Sequence, residues 1–390
     1  MSNLYFFKKS FFVIIISLFL SACGGGNGAG NKLSAIGATG TTGSGAPVNN
    51  NSSITLSGSV GDGPVSGATV VIKNASGKTL KSVSSDEHAK YSVTLEVNTN
   101  DYPLMIEASG GIDLVTSAAP DFTLYSVVTD PSERIANLNP FTTMIVKTAE
   151  FMRGGLTPAN IKIATSKTLQ QLNFGLDSTL VPDPVTTPIS ESNVADIVKS
   201  SETFGEMIRR TRNTLNNGKT GNDVMADLAE DLSDGNLDGV TKNKPSPRTS
   251  NVSRLISAQV LLEALSNDLM VGGANAAKRM DDSIMETMPG VTPSTSTNDV
   301  SITGNMLSQA IAAIETATSS SSTLKSIVSQ LSNLRSGTAS SDIPPFDSSR
   351  LDSAITIANS SDTPATPATP ATPATPVTPV TPVTPVTPVT

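Results

Sequence analysis

The chain has 390 residues, 26 Lys and Arg against 34 Asp and Glu, a formal charge of −8, 4% aromatic residues and no Trp. The acidic balance argues against nucleic acid or anionic lipid headgroups as partners, because both are met by basic faces. So few rings argue against sugar stacking and against a large hot-spot interface. The N-terminus has three zones: Lys8 and Lys9, an apolar run over residues 10–20, and Leu20-Ser21-Ala22-Cys23 set against Gly24-Gly25-Gly26. A positive end, a short apolar stretch and small residues at a cut site form an export signal. The run is too short to span a bilayer as a helix, which takes ~20 residues.

Leu20-Ser21-Ala22-Cys23 resembles the lipobox of bacterial lipoproteins. The resemblance implies that residues 1–22 are removed and that Cys23 becomes a lipidated N-terminus, so that the membrane is a partner through this lipid. Cys23 is the only cysteine, so no intramolecular disulfide competes for its thiol. Acyl chains anchor at ~0.8 kcal/mol per buried CH₂. The competing reading, an ordinary cleaved signal with an incidental cysteine, leaves that thiol without a use. Gly24, where an Asp is absent, implies by the same resemblance the outer membrane of a Gram-negative envelope. Loss of residues 1–22 removes two lysines and no acid, which moves the balance to 24 basic against 34 acidic residues, or −10.

Residues 23–53 are Gly, Asn, Thr, Ser and Ala with little apolar surface to offset ordering entropy, and read as a flexible tether. Period-two alternation begins at Ile54. It recurs over Ile54–Val60, Ala68–Lys73, Leu80–Val83, Tyr91–Leu95, Leu104–Ala108 and Phe122–Leu124, with turn signals at Asp62-Gly63-Pro64, Asn74-Ala-Ser-Gly77 and Ser84-Ser-Asp86. Short strands at such spacing predict an antiparallel β-sandwich over residues 54–128. Gly58, Val60, Asp62-Gly63-Pro64-Val65, Gly67-Ala68 and Val70, followed by Gly77, Asp86 and Tyr91, resemble the carboxypeptidase regulatory-like family of prealbumin-type sandwiches. That family often has Gly just before the Tyr, where this chain has Ala89-Lys90. The resemblance implies a spacer or interaction module and transfers no catalytic residue.

From residue 139 the period becomes helical. Asn139-Pro140 is a cap followed by proline at the first position, and Thr157-Pro158 is another. Val194, Ile197, Val198, Phe204, Ile208, Thr211 and Leu215 fall on one face. Leu255, Ala258, Leu262, Leu265 and Leu269 make a second face, read as stopped at Gly272-Gly273. Residues 306–317 and 324–334 add two more helices. The fold class expected is therefore multidomain β + α: an N-terminal antiparallel sandwich, Ig- or prealbumin-like, then an all-α domain over residues 139–337. In many envelope lipoproteins a sandwich is followed by a segment like Leu138-Asn139-Pro140-Phe141-Thr142-Thr143 and helices, and this chain resembles them. Residues 338–362 read as a linker. Residues 363–390 repeat Thr-Pro-Ala and then Thr-Pro-Val, a polyproline II pattern that could extend roughly 90 Å at ~3.1 Å per residue. A stalk, a wall-spanning spacer, an O-glycosylation substrate and a slippage tail without a ligand all fit that composition.

Catalytic chemistry is sparse. The only histidine, His88, lies in a turn, where a solvated residue is the expected role. No Gly-x-Ser-x-Gly elbow, phosphate loop or dinucleotide fingerprint is present. Asp231, Asp234, Asn236 and Asp238 offer oxygen ligands around Gly235 and Gly239, a weak calcium candidate, since the spacing departs from an EF-hand loop. The alternative is a helix end turning through Asp-Gly into a loop. Arg209, Arg210 and Arg212 read as a solvated helix face, or as a binder of phosphate or glycan. The expected role is that of a lipid-anchored, non-enzymatic envelope protein with scaffold, binding or adhesion function, a protein or glycan ligand and no cofactor. The alternatives are a carboxylate-dependent hydrolase of wall or polysaccharide, and a ligand-free spacer.

Overall fold

In the strands apolar and polar residues alternate, and the alternation sorts them between core and solvent. A computed structural model describes residues 51–241, 245–292, 300–316, 322–337 and 347–361. Cys23, the signal segment, nearly all of the tether and the Thr/Pro tail lie outside them. The N-terminal region is antiparallel β-structure and the rest is helical. Strands β1 (Ser52–Ser59), β2 (Val65–Ser66), β3 (Thr69–Lys73), β4 (Thr79–Ser84), β5 (Lys90–Val97), β6 (Leu104–Ser109), β7 (Ile112–Asp113) and β8 (Leu124–Val128) follow in order. β1 pairs with β5, β2 with β7, and the remaining four form a sheet in the order β4-β3-β6-β8. In β5 every second residue is buried: Tyr91, Val93, Leu95 and Val97. Val70 and Ile72 of β3 and Leu104, Ile106 and Ala108 of β6 form the buried row of the larger sheet.

Two motif residues, Gly58 and Tyr91, fix one edge of this region. The segment 135–138 runs parallel beside β1, with Ala136 N donating to Ser57 O at 2.9 Å and Leu138 N to Ser59 O at 2.8 Å. Gly58 abuts the Ala136 carbonyl so closely that an added Cβ would overlap it. Tyr91, opposite Gly58 across the strand pair, donates its hydroxyl to the same carbonyl at 2.6 Å. Removing that hydroxyl leaves a buried acceptor short of its partner, so Tyr91→Phe is expected to cost about 1–2 kcal/mol, read as a lower urea midpoint with unchanged slope. Ala89 takes φ +57°, a left-handed conformation that glycine adopts more easily. The turn before Tyr91 is therefore made by an alanine in a left-handed conformation.

Helices α1 (Pro140–Phe151), α2 (Pro158–Gln171), α3 (Val194–Leu215), α4 (Gly221–Leu232) and α5 (Pro247–Leu265) follow. A hairpin of β9 (Met270–Val271) and β10 (Ala274–Asn275) comes next, then α6 (Ala276–Thr287), α7 (Val300–Thr316), α8 (Ser322–Gly337) and α9 (Asp352–Asn359). The expected caps form: Asn139 accepts from Thr142 N ahead of Pro140, and Thr157 accepts from Asn160 N ahead of Pro158. α5 stops at Leu265, earlier than its apolar spacing suggests, because Asn267 turns through φ +58°. Gly272-Gly273 is then the hairpin turn rather than a helix stop. Part of the segment read as linker is also structured. Leu351, Ala354, Ile355 and Ala358 form an apolar face that is buried, and α9 packs on α5. Arg248 Nε donates to Asn359 Oδ1 at 2.9 Å, and Asn359 Nδ2 to Thr214 O at 2.8 Å.

The main apolar cluster runs without a break from the β1-β5 pair and the four-stranded sheet into the helices, from Leu56 and Ile106 through Phe141, Phe174 and Phe204 to Leu261. Phe204 stacks on Phe174 at 4.6 Å between centroids and meets Phe141 edge-on at 5.2 Å. The N-terminus of α1 is tied to β8: Thr143 Oγ1 accepts from Tyr125 N at 2.9 Å, and Thr142 Oγ1 donates to Tyr125 O at 2.7 Å.

Candidate functional site

The chemically richest place lies where the loop after β1 meets α3. Glu202, Glu206 and Arg209 sit four and three residues apart, so they share one face of α3. Gly205 lies between them, and a Cβ there would overlap the Asp62 carboxylate, so the helix carries glycine where another chain segment needs its surface. Asp62 is thereby pressed against α3 and fully buried.

Arg209 organises the site. Its Nη1 donates to Asp62 Oδ2 at 2.7 Å, its Nη2 to Glu202 Oε1, and its Nε to Glu206 Oε2 at 2.8 Å. Arg210 bridges Glu206 and Glu263 of α5, making a two-pronged contact with Glu263 at 2.9 and 2.7 Å. Arg212 donates to Asp121 Oδ1 at 2.6 Å. Arg209 and Arg210 are therefore not a solvated face: their guanidinium groups are engaged by carboxylates of α3 itself, of the β region and of α5, while Arg212 stays partly exposed. That corrects the sequence reading, which had no means of placing Asp62 opposite a residue 147 positions later.

Burial dominates the protonation of the inner groups. It pushes Asp62 up to about 7 against the pull of Arg209, with Asp113 adding to the rise. Glu202 is raised well above the carboxylate range by burial, again opposed by Arg209. Asp113, which accepts from Val115 N and Thr116 Oγ1, is raised by burial too. For Arg209, burial disfavours the charge, but Asp62, Glu202 and Glu206 together outweigh it and hold the guanidinium protonated. Lys199, on the same helix, is lowered by burial to about 8 despite Asp196 and Asp281 nearby.

A cavity of about 50 Å³ adjoins this network. Its walls are largely apolar, with Val60, Pro64, Ala89, Ile189, Val194 and Val198 among them. Asp62, Ser201 and His88 also line it, and Asp62 Oδ1, Ser201 Oγ and His88 Nδ1 are buried atoms without a hydrogen-bond partner among the described residues. His88 lies in its turn as expected, with its side chain 41% exposed, but it turns one ring nitrogen inward.

The calcium candidates lie elsewhere and are used by the backbone. Both Asp231 carboxylate oxygens accept from Gly239 N, at 2.9 and 2.8 Å, and Oδ2 also accepts from Ser250 at 2.6 Å. Asp234 accepts from Asn236 N and Asp238 from Val240 N. These are loop-closing contacts at the end of α4, and among the described residues no group of three or more His, Cys, Asp or Glu is placed to hold a metal ion. Burial raises Asp231 to about 7, the Ser250 and Gly239 hydrogen bonds notwithstanding.

Asp62 and Asp231 both have folded values above the ordinary 3.8. The stability they add is therefore complete below about pH 4 and is lost as the pH rises through about 7. Between those limits Asp231→Asn is expected to flatten the pH dependence of unfolding by up to about 1.4 kcal/mol per pH unit, measured as urea midpoints from pH 4 to 8.

Comparison with protein-family models, with curated proteins and with solved structures gives no match to this chain. The likeness of residues 54–128 to the carboxypeptidase regulatory-like family accordingly rests on the motif residues themselves. Among the described residues no helix is long and apolar enough to cross a membrane.

Proposed function

We propose that the chain is a lipid-anchored cell-envelope protein, held in the outer membrane through Cys23, whose folded part is a non-enzymatic binding or scaffold module. The anchor is supported by the lipobox and by the absence of any other cysteine. A sandwich of the regulatory-like type is supported by the buried rows of the β1-β5 pair and of the four-stranded sheet, which enter one apolar cluster, and by Gly58 and Tyr91 meeting at the Ala136 carbonyl. The observation that carries the non-enzymatic reading is the commitment of the Arg209 network to the junction between strands and helices. A carboxylate-dependent hydrolase needs two carboxyl groups facing a substrate across about 5–9.5 Å, one of them free to move a proton. Asp62 and Glu202 are instead fully buried and share one guanidinium.

Incubating the purified full chain with peptidoglycan and envelope polysaccharides tests this. No soluble product is expected. Product release that disappears in Asp62→Asn or Glu202→Gln, with the folded state intact by circular dichroism, would replace the scaffold by the hydrolase.

A further inference from the structure

Four pairs of Asn or Asp followed by Gly lie among the described residues, and the fold treats one of them differently. A glycine leaves its own backbone nitrogen unshielded and its backbone free to rotate. That nitrogen can then reach the carbonyl carbon of the preceding side chain and close a five-membered ring. The reaction needs an accessible side chain and a glycine N–H that is not already held. Asp62-Gly63 is buried. Gly235 N donates to Leu232 O at 2.9 Å, and Gly239 N donates to both carboxylate oxygens of Asp231. Asn217-Gly218 meets both conditions. It lies in the link between α3 and α4, both residues are exposed, and Gly218 N makes no hydrogen bond among the described residues. Gly218 takes φ +83°, and nothing stands within 4 Å of the position its Cβ would occupy. Asn217 Oδ1 accepts from Lys219 N at 3.3 Å, a long contact that an exposed side chain breaks easily. Asn217 is also the one amide among the four, and ammonia leaves an amide more readily than hydroxide leaves a carboxylate.

We propose that Asn217 is a modification site, where spontaneous deamidation produces aspartate and isoaspartate. Gly218 N gives its proton to water or hydroxide and bonds to Cγ of Asn217. The Cγ–N bond of the amide then breaks, and ammonia leaves after taking up a proton. A water molecule opens the resulting succinimide at either carbonyl, which yields aspartate or isoaspartate without any change of oxidation state. Each event turns a neutral side chain into a carboxylate, and the isoaspartyl product also lengthens the backbone of the link between α3 and α4. The change falls two residues from Lys219, which pairs with Asp227 and Thr249. The inference depends neither on the lipid anchor nor on the scaffold reading.

The test is timed incubation of the purified full chain in detergent at pH 6 and pH 8.5, followed by trypsin digestion and mass spectrometry, with a zero-time sample to subtract conversion during digestion. Cleavage after Arg212 and Lys219 releases residues 213–219, so Asn217 is read apart from Asn27-Gly28, which lies outside the described residues. Electron-transfer fragmentation locates the product and separates isoaspartate from aspartate. Conversion at Asn217 is expected to be at least about ten-fold faster at pH 8.5, because a base must take the Gly218 proton. At pH 8.5 it should be no more than about ten-fold slower than in a synthetic peptide of residues 213–219, since opening an exposed loop costs little. Gly218→Ala should slow it at least about ten-fold by shielding the nitrogen. Because an alanine is strained at that φ, Asn217→Gln is used with it, an exposed change that keeps the amide but removes the five-membered ring, and it should give no isoaspartate at this position. Asn217 left intact in the folded chain when the peptide has converted, conversion at the wild-type rate in Gly218→Ala, or isoaspartate forming faster at Asp234 or Asp238 than at Asn217 would overturn the proposal.

Discussion

Arg209→Met is expected to lower the unfolding free energy by about 3–5 kcal/mol at neutral pH, because it leaves buried carboxylates with no counter-charge. Asp62 and Glu202 lose the group that both contact, and Glu206 loses one of its two arginines. The loss should shrink as the pH falls from 7 to 5, since the stranded carboxyl groups then take up protons at less cost. Combining Arg209→Met with Asp62→Asn and Glu202→Gln should recover part of the stability. Replacing a whole buried ion pair is often close to neutral, while breaking it is not. Urea unfolding of wild type, the single variant and the triple variant at pH 5 and pH 7 measures this, and a single variant within ~0.5 kcal/mol of wild type would show that the network carries little.

Gly205→Ala is the second large effect. At an open position in a helix this change gains up to about 1 kcal/mol. Here the new methyl overlaps the Asp62 carboxylate, so the loop after β1 must move or Asp62 must leave Arg209. A loss of about 2–3 kcal/mol is expected, from overpacking combined with a weakened ion pair. The opposite sign is a sharp discriminator: a stabilised Gly205→Ala would mean that the loop does not rest on α3. Adding Asp62→Ala, which makes room, should offset part of the loss, and the double-mutant cycle reads the coupling directly.

How far the sequence discloses this arrangement can be traced residue by residue. Period-two alternation locates the β5 row from Tyr91 to Val97, and the helical face from Val194 to Leu215 is buried apart from the half-exposed Ile197. Local signals, Asn139-Pro140 and Thr157-Pro158, mark two helix starts because a cap involves only neighbouring residues. α6 escapes the same reading: Met280 and Ile284 are its large buried residues, and charged Lys278, Arg279, Asp281 and Asp282 surround them. α9 was legible in principle, since Leu351, Ala354, Ile355 and Ala358 repeat at helical spacing, but its Ser- and Asp-rich flanks have the composition of a linker.

The candidate site was the least legible part. Glu202, Glu206, Arg209 and Arg210 repeat at the spacing of ordinary solvent-exposed ion pairs, and helical periodicity alone does not tell a buried charged face from an exposed one. The partner that buries them, Asp62, belongs to a turn signal far away in the chain. Gly205 in mid-helix was the available clue, because an interior glycine in a helix needs a reason such as a close approach. The acids near the end of α4 show the converse. Asp231, Asp234 and Asp238 suggest a cation site by composition, yet each closes its own loop through backbone N–H groups, the ordinary use of Asp next to Gly.

The measurement that bears most directly on the proposed role is fractionation of cells expressing wild type beside Cys23→Ala, with protease shaving of the intact cells. The account predicts that wild type partitions with the outer membrane and that Cys23→Ala is lost from it, while shaving reports which face carries the folded part. Equal membrane association of the two proteins would contradict the lipid anchor.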